Sequence, residues 1–356
     1  MNIPWAIPNI EQDDIDYLKK VLESKWYSQG KITELFEKNM AKYVGVKYAL
    51  AVNNGTSALE VLLRALGIKE GDEVIIPAYS YIASATAVSL VGANPLFADV
   101  DESMTINHDE IDRIITNRTK AIMCVDLTGN PCNYDLLMEK SKRYNIPLII
   151  DGAQSLGSKY KGKSCLSFGI ASTTSFHSAK ILTTIEGGMI FTNNSDLYQK
   201  LKSIKNQGES AEKYIHDSLG GNYRITDIAS AFGIKQLERF DKTIAERKRK
   251  VELYKQLLNG YVEFLNENKN GTSCNFIFPI FVKEPDRLCE FLRKNGIETR
   301  RIYPRTIPKQ PVYKINERFP ISEKFCKECV SLPLYNSLKD EEISYICDRI
   351  KEFLKK

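Results

Sequence analysis

The chain has no long uninterrupted apolar stretch, and this absence argues against a membrane-spanning protein. Within its 356 residues, no run approaches the roughly 18 apolar residues that a transmembrane helix requires. The N-terminus also lacks a basic stretch followed by an apolar segment, so no signal peptide is predicted. We therefore expect no membrane partner and a cytoplasmic location.

Charge of one sign is not in large excess either. The 50 Lys and Arg residues face 45 Asp and Glu residues, and the basic residues are scattered apart from a cluster at residues 247–250. This cluster has helical composition with interleaved Glu, so we interpret it as the solvated face of a helix rather than a binding patch. No nucleic-acid partner is predicted.

Cysteine and histidine do not occur in the patterns that metal or disulfide sites need. Eight cysteines are spread along the chain, which is typical of reduced thiols in a protein of this length. Cys326 and Cys329 form a C-x-x-C in an apparently helical stretch, but neither a second Cys pair nor a His lies nearby to complete four zinc ligands. We interpret this pair as a coincidence and predict no metal site.

Short apolar runs bounded by turn residues alternate with helical stretches over the first two thirds of the chain. This alternation is typical of a largely parallel sheet covered by helices on both faces. After about residue 240 the pattern changes to a long amphipathic helix at 244–258, an apolar strand at 275–282 and further helices. We predict an α/β protein with a large domain at 1–240 and a smaller C-terminal α+β domain at 241–356.

Polar residues that follow the apolar runs are the first candidates for a site, because ligands bind at the carboxyl ends of strands in such sheets. Residues 53–57, Asn-Asn-Gly-Thr-Ser, follow one strand and open a helix, which would suit a phosphate or serve only as an N-cap. Asp151 ends a very apolar run and needs a cationic or hydrogen-bonding partner. A pyridinium nitrogen is such a partner, and a helix cap or structural turn is the alternative.

Lys180 is the candidate nucleophile. It lies among apolar and small residues, where a lysine can have the lowered pKa that a Schiff-base nucleophile requires. The alternative is an ordinary surface lysine.

Residues 157–164 match the P-loop pattern G-x-x-x-x-G-K-S letter for letter, but their surroundings do not fit one. A P-loop joins a strand directly to a helix, whereas Ser164 leads into small and β-branched residues that favour a strand or turn. Tyr160 and Lys161 would also crowd a loop that wraps phosphate. We predict a basic hairpin here instead of a nucleotide site.

Several motifs together resemble the DegT/DnrJ/EryC1/StrS family of nucleotide-sugar aminotransferases, and the resemblance covers almost the whole chain. The motifs are Trp-Tyr-Ser-Gln-Gly at 26–30, Asn-Gly-Thr-Ser-Ala-Leu at 54–59, the segment 77–86, Asp-Gly-Ala-Gln at 151–154, the block 175–188, Gly-Asn-Tyr-Arg at 221–224 and Ser-Leu-Pro-Leu-Tyr at 331–335. The resemblance implies fold type I, with a mostly parallel seven-stranded sheet in the large domain, and pyridoxal phosphate (PLP), alternating with pyridoxamine phosphate (PMP), as cofactor.

The resemblance also implies roles for three residues at the centre of the site. Lys180 matches the Schiff-base lysine, which also shuttles the proton during transamination. Asp151 matches the carboxylate that keeps the pyridine nitrogen protonated, so that the ring can accept electrons. Gln154 matches the position that hydrogen-bonds the phenolic oxygen of the cofactor.

Further cofactor contacts are implied around these three. Tyr81 matches the aromatic residue that stacks on the ring, although it could equally fill a core. Gly55, Thr56 and Ser175 match the phosphate cup.

Other residues are implied to act between subunits or on the substrate. Asn222 matches a residue that reaches the phosphate from the partner subunit, which implies a homodimer with shared active sites. From the sequence alone, Asn222 should lie just ahead of a helix predicted at 227–237, and an N-cap role for that helix is the alternative. Arg224 and Tyr303 are weaker candidates for contacts to phosphate or substrate.

The function that follows is amino transfer from L-glutamate to a nucleotide-linked keto-sugar, chiefly a 4-keto-6-deoxy sugar, for surface glycan or polysaccharide. Amination at C3, a sugar dehydratase on the same fold and a non-catalytic regulator are the alternatives. The resemblance implies that the dehydratases on this fold have a His in place of the Schiff-base lysine. This chain has Lys180 at that position, which disfavours a dehydratase. Two departures from the family pattern, Asp126 where many relatives have His and Ile307 near a missing His, put the sugar contacts in doubt.

Overall fold

A seven-stranded sheet forms the centre of the computed structural model, which describes residues 2–355. The strands are β1 (Tyr48–Val52), β2 (Glu73–Pro77), β3 (Asn94–Ala98), β4 (Thr119–Val125), β5 (Leu148–Asp151), β6 (Lys159–Tyr160), β7 (Lys163–Ser164), β8 (Ala171–Ser175), β9 (Gly188–Thr192), β10 (Glu263–Phe264), β11 (Gly271–Thr272), β12 (Phe278–Phe281) and β13 (Cys329–Leu332). The helices are α1 (Gln12–Glu23), α2 (Lys31–Val44), α3 (Gly55–Ala65), α4 (Ala83–Leu90), α5 (His108–Ile114), α6 (Tyr134–Tyr144), α7 (Ser195–Lys205), α8 (Asp227–Glu238), α9 (Phe240–Leu258), α10 (Pro285–Lys294), α11 (Pro320–Glu328) and α12 (Asp340–Leu354).

The strand order of the large sheet is β1-β9-β8-β5-β4-β2-β3. The five strands from β8 to β3 are parallel, whereas β9 is antiparallel to both of its neighbours, β8 and β1. The predicted mostly parallel sheet is therefore confirmed, with β9 as the reversed strand. Because β1, β5 and β8 point the same way, their carboxyl ends meet at one edge of the sheet.

Helices bury both faces of this sheet, which explains why its strands are apolar runs rather than alternating patterns. In β5, Ile149 packs into the cluster that contains the apolar face of α3, while Ile150 packs on the opposite side with Tyr134 and Leu137 of α6. Successive strand residues point to opposite faces. Fully burying each such side chain contributes about 1.5–3 kcal/mol.

A second hydrophobic cluster is built around the sheet β10-β12-β13 and helices α9, α10 and α12. It also takes in Ile3 from the N-terminal segment, which is completely buried. The predicted boundary between residues 240 and 241 falls at the start of α9. The division into two domains stays a prediction.

The basic cluster on α9 is not a fully solvated face, and that prediction was wrong. Arg247 and Lys250 are buried. Arg247 donates to the carbonyl oxygens of Asn275, Phe276 and Leu334 at 2.7–3.0 Å. Lys250 Nζ donates to Tyr335 O at 3.1 Å. Only the intervening Lys248 and Arg249 are exposed, so half of the cluster satisfies buried backbone carbonyls instead of meeting water.

Residues 157–164 form the predicted hairpin. Strands β6 and β7 are antiparallel, with Tyr160 opposite Lys163, and a short 3-10 turn at Cys165–Ser167 follows instead of an α-helix. The strand-to-helix geometry of a P-loop is therefore not formed. In residues 2–355, no helix has both the length and the apolar composition needed to cross a membrane.

Candidate active site

A cleft of about 820 Å³ opens at the carboxyl edge of the large sheet. Eight of the residues that the sequence singles out line it, namely Gly55, Thr56, Tyr81, Asp151, Gln154, Ser175, Lys180 and Tyr303. They come from the ends of β1, β5 and β8, from the segment between β2 and α4 and from later segments, so the fold brings together residues that are up to 248 positions apart. The other two, Asn222 and Arg224, do not line this cleft.

Lys180 lies in the loop between the antiparallel strands β8 and β9. Ser175 and Gly188 face each other across the register, so the loop leaves and re-enters the sheet at the same point. Lys180 Nζ lies 4.4 Å from the ring centroid of Phe276. Burial lowers the pKa of Lys180 to about 8, although the negative charge of Asp151 acts in the opposite direction. The lowered pKa agrees with the interpretation of Lys180 as a Schiff-base nucleophile and not with that of an ordinary surface lysine.

Asp151 is the last residue of β5 and is buried. Its carboxylate accepts hydrogen bonds from Ser84 Oγ at 2.7 Å and from the Ala153 backbone N–H at 3.2 Å. Burial raises the pKa of Asp151, while these two donors and the charge of Lys180 act to lower it. Asp151 caps no helix, although the bond from Ala153 does close a turn. A buried carboxylate beside the cleft remains able to meet a cationic partner.

Gln154 connects the cleft to two neighbouring segments. Its Oε1 accepts from the Thr128 backbone N–H at 2.8 Å, and its Nε2 donates to the Tyr303 hydroxyl at 3.3 Å. Since an amide nitrogen carries two hydrogens, one donor remains for a ligand. Tyr81 faces the Tyr303 ring at 5.9 Å between centroids, and 58% of Tyr81 is exposed. Tyr81 therefore offers an open aromatic face and is not core filler.

The start of α3 combines the two interpretations that the sequence left open. Asn54 caps the helix by accepting from the Ser57 N–H at 2.8 Å, while the N–H groups of Gly55 and Thr56 belong to the first turn and have no intrahelical partner. A Cβ atom on Gly55 would lie 2.8 Å from Ser175 Cβ. Only glycine allows this close approach, which places the free amides next to the Ser175 hydroxyl at the end of β8.

Asn222 and Arg224 lie on a segment that pairs with the end of α7. Asn222 and Asn206 form an isolated antiparallel bridge, and the Arg224 guanidinium donates to Asn206 Oδ1 at 2.6 Å. The helix predicted at 227–237 is formed as α8, but its N-cap is Thr226. This removes capping as the explanation for Asn222.

The structure adds residues that sequence reasoning missed. Ser84, the donor to Asp151, lies within the family-like segment 77–86, so its position but not its role was visible. Trp5 and Arg300 also line the cleft, and no sequence pattern linked these distant positions. We call Asp151, Gln154, Lys180 and Ser84 the floor of the cleft, and Trp5 and Arg300 its rim.

The two departures from the family pattern do not line the cleft. Asp126 is completely buried and accepts from Tyr134, Ser155 and the Cys132 backbone N–H. Ile307 is 1% exposed in the core cluster beneath α3. Both side chains thus belong to the protein interior.

The floor and the start of α3 fit pyridoxal phosphate. A lysine with a lowered pKa can bond to the aldehyde, a buried carboxylate can face the ring nitrogen, and free helix-terminal amides beside a serine hydroxyl can take the phosphate. Together with the seven-stranded sheet, this arrangement defines a fold type I aminotransferase. The chain belongs to the DegT/DnrJ/EryC1/StrS aminotransferase family, whose model matches residues 8–351.

Individual relatives agree with this assignment. The chain is 39% identical to the GDP-perosamine synthase of Escherichia coli O157:H7 over 99% of this chain and 98% of that protein. It is 34% identical to the dTDP-3-amino-3,6-dideoxy-alpha-D-galactopyranose transaminase of Aneurinibacillus thermoaerophilus over 94% of both chains. The PLP form of the sugar aminotransferase Spr1654 from Streptococcus pneumoniae superposes with a TM-score of 0.94 at 28% identity, covering 100% and 99% of the two chains.

The cofactor prediction is confirmed by the same comparisons. The family is one of aminotransferases, and Spr1654 has been solved in both a PLP and a PMP form. Pyridoxal phosphate is therefore the cofactor of this protein.

Proposed function

We propose that this enzyme transfers the amino group of L-glutamate to C4 of a nucleotide-linked 4-keto-6-deoxy sugar, giving an amino sugar for surface glycan or polysaccharide. Family membership supports amino transfer, and the printed functions of relatives support a nucleotide-sugar acceptor. The donor and the position on the sugar rest on the sequence resemblance alone. The observation that carries the proposal is that Lys180, with its lowered pKa, and Asp151 face one cleft.

The residues that would hold the cofactor divide by the part of it that they contact. The backbone amides of Gly55 and Thr56 and the hydroxyl of Ser175 would bind the phosphate.

Three other residues would hold the ring of the cofactor. The carboxylate of Asp151 would face the ring nitrogen, Tyr81 would stack on the ring face, and the side-chain amide of Gln154 would bond to the phenolic oxygen. Lys180 would bond to the cofactor directly.

When bound, pyridoxal phosphate supplies an electron sink that stabilises negative charge on a carbon next to the amino group. The chain supplies the proton transfers. Lys180 Nζ removes a proton from the α-carbon of the donor and later delivers one to the sugar carbon that receives the amine. Asp151, held by Ser84 and Ala153, would place a fixed carboxylate toward the ring nitrogen. Because both groups are preorganised, little reorganisation is needed as charge develops.

The proposal includes a homodimer in which Asn222 completes the phosphate site of the partner. Two features support it. Asn222 does not line the cleft of its own chain, and the segment that leads to it carries exposed apolar side chains, Tyr214 at 74% and Leu219 at 92% exposure. Exposed apolar residues of this kind are typical of contact surfaces. In a two-fold dimer, one such contact occurs at both sites.

A cytoplasmic location is also part of the proposal. All eight cysteines are free, which suits a reducing compartment.

The decisive experiment separates the two half-reactions of the holoenzyme. L-Glutamate alone should change the visible spectrum of the cofactor and yield 2-oxoglutarate. A keto-sugar nucleotide should then restore the spectrum, and the product's aminated carbon can be identified by NMR over a panel that includes GDP- and dTDP-linked 3-keto and 4-keto sugars.

Each alternative function gives a different result in this experiment. An amine at C3 would replace the C4 assignment. Loss of water without net amine transfer would indicate a dehydratase. Cofactor binding with neither half-reaction would indicate a regulator.

A further inference from the structure

At the rim of the cleft, the guanidinium of Arg300 lies over the indole of Trp5, with 5.9 Å between Cζ and the ring centroid. Both residues line the same cleft as Lys180. Trp5 belongs to the N-terminal segment, whereas Arg300 lies in the segment that joins α10 to α11. The rim is thus formed by two segments that meet only in the folded protein.

Ser331 of β13, which is buried, bonds to both members of the pair. The indole N–H of Trp5 donates to Ser331 Oγ at 3.0 Å. The backbone of Ser331 exchanges two hydrogen bonds with the backbone of Arg300, at 2.8 and 3.1 Å. The ring and the arginine backbone are therefore fixed relative to each other before a ligand arrives, which reduces the entropy cost of binding.

Arg300 differs from its neighbour Arg301 in what its guanidinium contacts. Arg301 pairs with Asp286 and donates to the carbonyl oxygens of Cys326 and Cys329, so its donors serve the protein. For Arg300, no ion pair is found among residues 2–355, and the residue is exposed. A guanidinium that is oriented by an aromatic ring and lacks a carboxylate partner is available to an anion.

We propose that Arg300, oriented by Trp5, binds the diphosphate of the nucleotide-linked substrate at the mouth of the cleft. The planar fork of a guanidinium matches two phosphate oxygens at once, and the aromatic support keeps that fork facing the cleft. This assignment rests on the proposed nucleotide-sugar substrate. The same chemistry could also serve a carboxylate of glutamate, so the test must separate the two anions.

The test uses the holoenzyme and calorimetric titration with GDP, UDP and dTDP. For the nucleotide that the wild type binds, Arg300→Gln should weaken binding about tenfold to a hundredfold, the range for losing hydrogen bonds to a charged group. Arg300→Lys should lie between, because it keeps the charge without the fork. The matched control is Arg305→Gln, an exposed arginine in the same segment that does not line the cleft.

Kinetics then identify the anion. In Arg300→Gln, the rate and apparent affinity of the glutamate half-reaction should stay at wild-type values, which also shows that the variant is folded. The KM for the keto-sugar nucleotide should rise with a smaller change in kcat. Trp5→Ala should produce a severalfold rise of the same kind, because the guanidinium loses its orientation.

Four outcomes would overturn the assignment. They are unchanged nucleotide affinity in Arg300→Gln, an equal loss in Arg305→Gln, a loss of glutamate affinity in place of nucleotide affinity, and a wild type that binds no nucleoside diphosphate. Only the last of these would also remove the proposed nucleotide-sugar substrate. In the first three, the proposed function stands and only the role of Arg300 fails.

Discussion

The floor and the rim of the cleft are built in opposite ways. On the floor, Asp151 ends a buried strand and Lys180 sits in a loop pinned between two strands, and burial shifts the pKa of both. On the rim, Arg300 is exposed and rests on Trp5, 295 positions away in the chain. Burial shifts the pKa values of Asp151 and Lys180, on which the chemistry of the floor depends. Arg300 on the rim is exposed and can therefore contact substrates of different structure. Changes at the floor should therefore affect every substrate alike, and changes at the rim should affect only one.

The largest effect should come from removing the central amine of the floor. Lys180→Ala should lower turnover at least about a thousandfold with both glutamate and the keto-sugar, because covalent attachment and proton transfer are lost together. The visible absorption of the bound cofactor should change as well. Lys163→Ala, in the exposed hairpin, is the matched control. Near-wild-type transamination by Lys180→Ala would show that the assignment of Lys180 is wrong.

A smaller loss should follow from neutralising the carboxylate of the floor. Asp151→Asn should slow both half-reactions about a hundredfold or more, the scale for one electrostatic contact that acts in the transition state. Ser84→Ala, which removes only a donor to Asp151, should cost less, about tenfold. If Asp151→Asn binds cofactor normally and is slowed only slightly, another group must protonate the ring.

The comparison would be sharpened by showing that the phosphate site beside the floor is completed by a second chain. Asn222→Ala should remain dimeric yet bind pyridoxal phosphate about tenfold more weakly, through loss of a hydrogen bond to a charged group. Mixing it with inactive Lys180→Ala subunits should restore some activity, since one site of each heterodimer combines Lys180 with an intact Asn222. An active monomer in sedimentation, or no recovery despite proven subunit exchange, would remove the shared site.

The smallest effect concerns pH and the apoprotein. Because burial lowers the pKa of Lys180 to about 8 from near 10.5, the unfolded chain binds more protons than the folded chain between these values. The contribution of Lys180 to stability therefore rises with pH in this window and is constant below it. Lys180→Met should be more stable than the wild type at pH 7, and this advantage should shrink by about 1 kcal/mol at pH 9. Denaturant unfolding at both pH values measures it; an advantage independent of pH would mean that Lys180 is not desolvated.

The sequence predicted the floor far better than the rim, for a physical reason. Asp151 and Lys180 lie at strand ends or in short motifs, where position along the chain and position in the fold are closely linked. The contact between Trp5 and Arg300 depends on how distant segments pack, and no local pattern carries that information. The sheet and the hairpin at 157–164 were predictable from periodicity and turn residues.

Two details lay beyond what the local sequence pattern could reveal. On α9, helical composition could not reveal that Arg247 and Lys250 donate hydrogen bonds to the backbone carbonyls at 275–276 and 334–335. For Asn222, the following helix begins at Asp227 as predicted, but Thr226 and not Asn222 caps it. In the first case the partners of the polar groups lie in other segments, and in the second the local pattern gives the helix but not the residue that caps it.

The pinned loop that carries Lys180 has a consequence for chain entropy. Twelve residues, 176–187, separate two positions that the antiparallel register already holds opposite each other. Closing a free loop of this size costs entropy that grows with the logarithm of its length, but here the closure is complete once β8 and β9 pair. The Lys180 amine can then move only through the torsion angles within this closed loop. It lines the cleft together with Gly55 at the start of α3 and with Asp151. A chain break inside 177–186 would leave the sheet paired and return that freedom, so a nicked protein could remain folded and yet lose the position of its lysine.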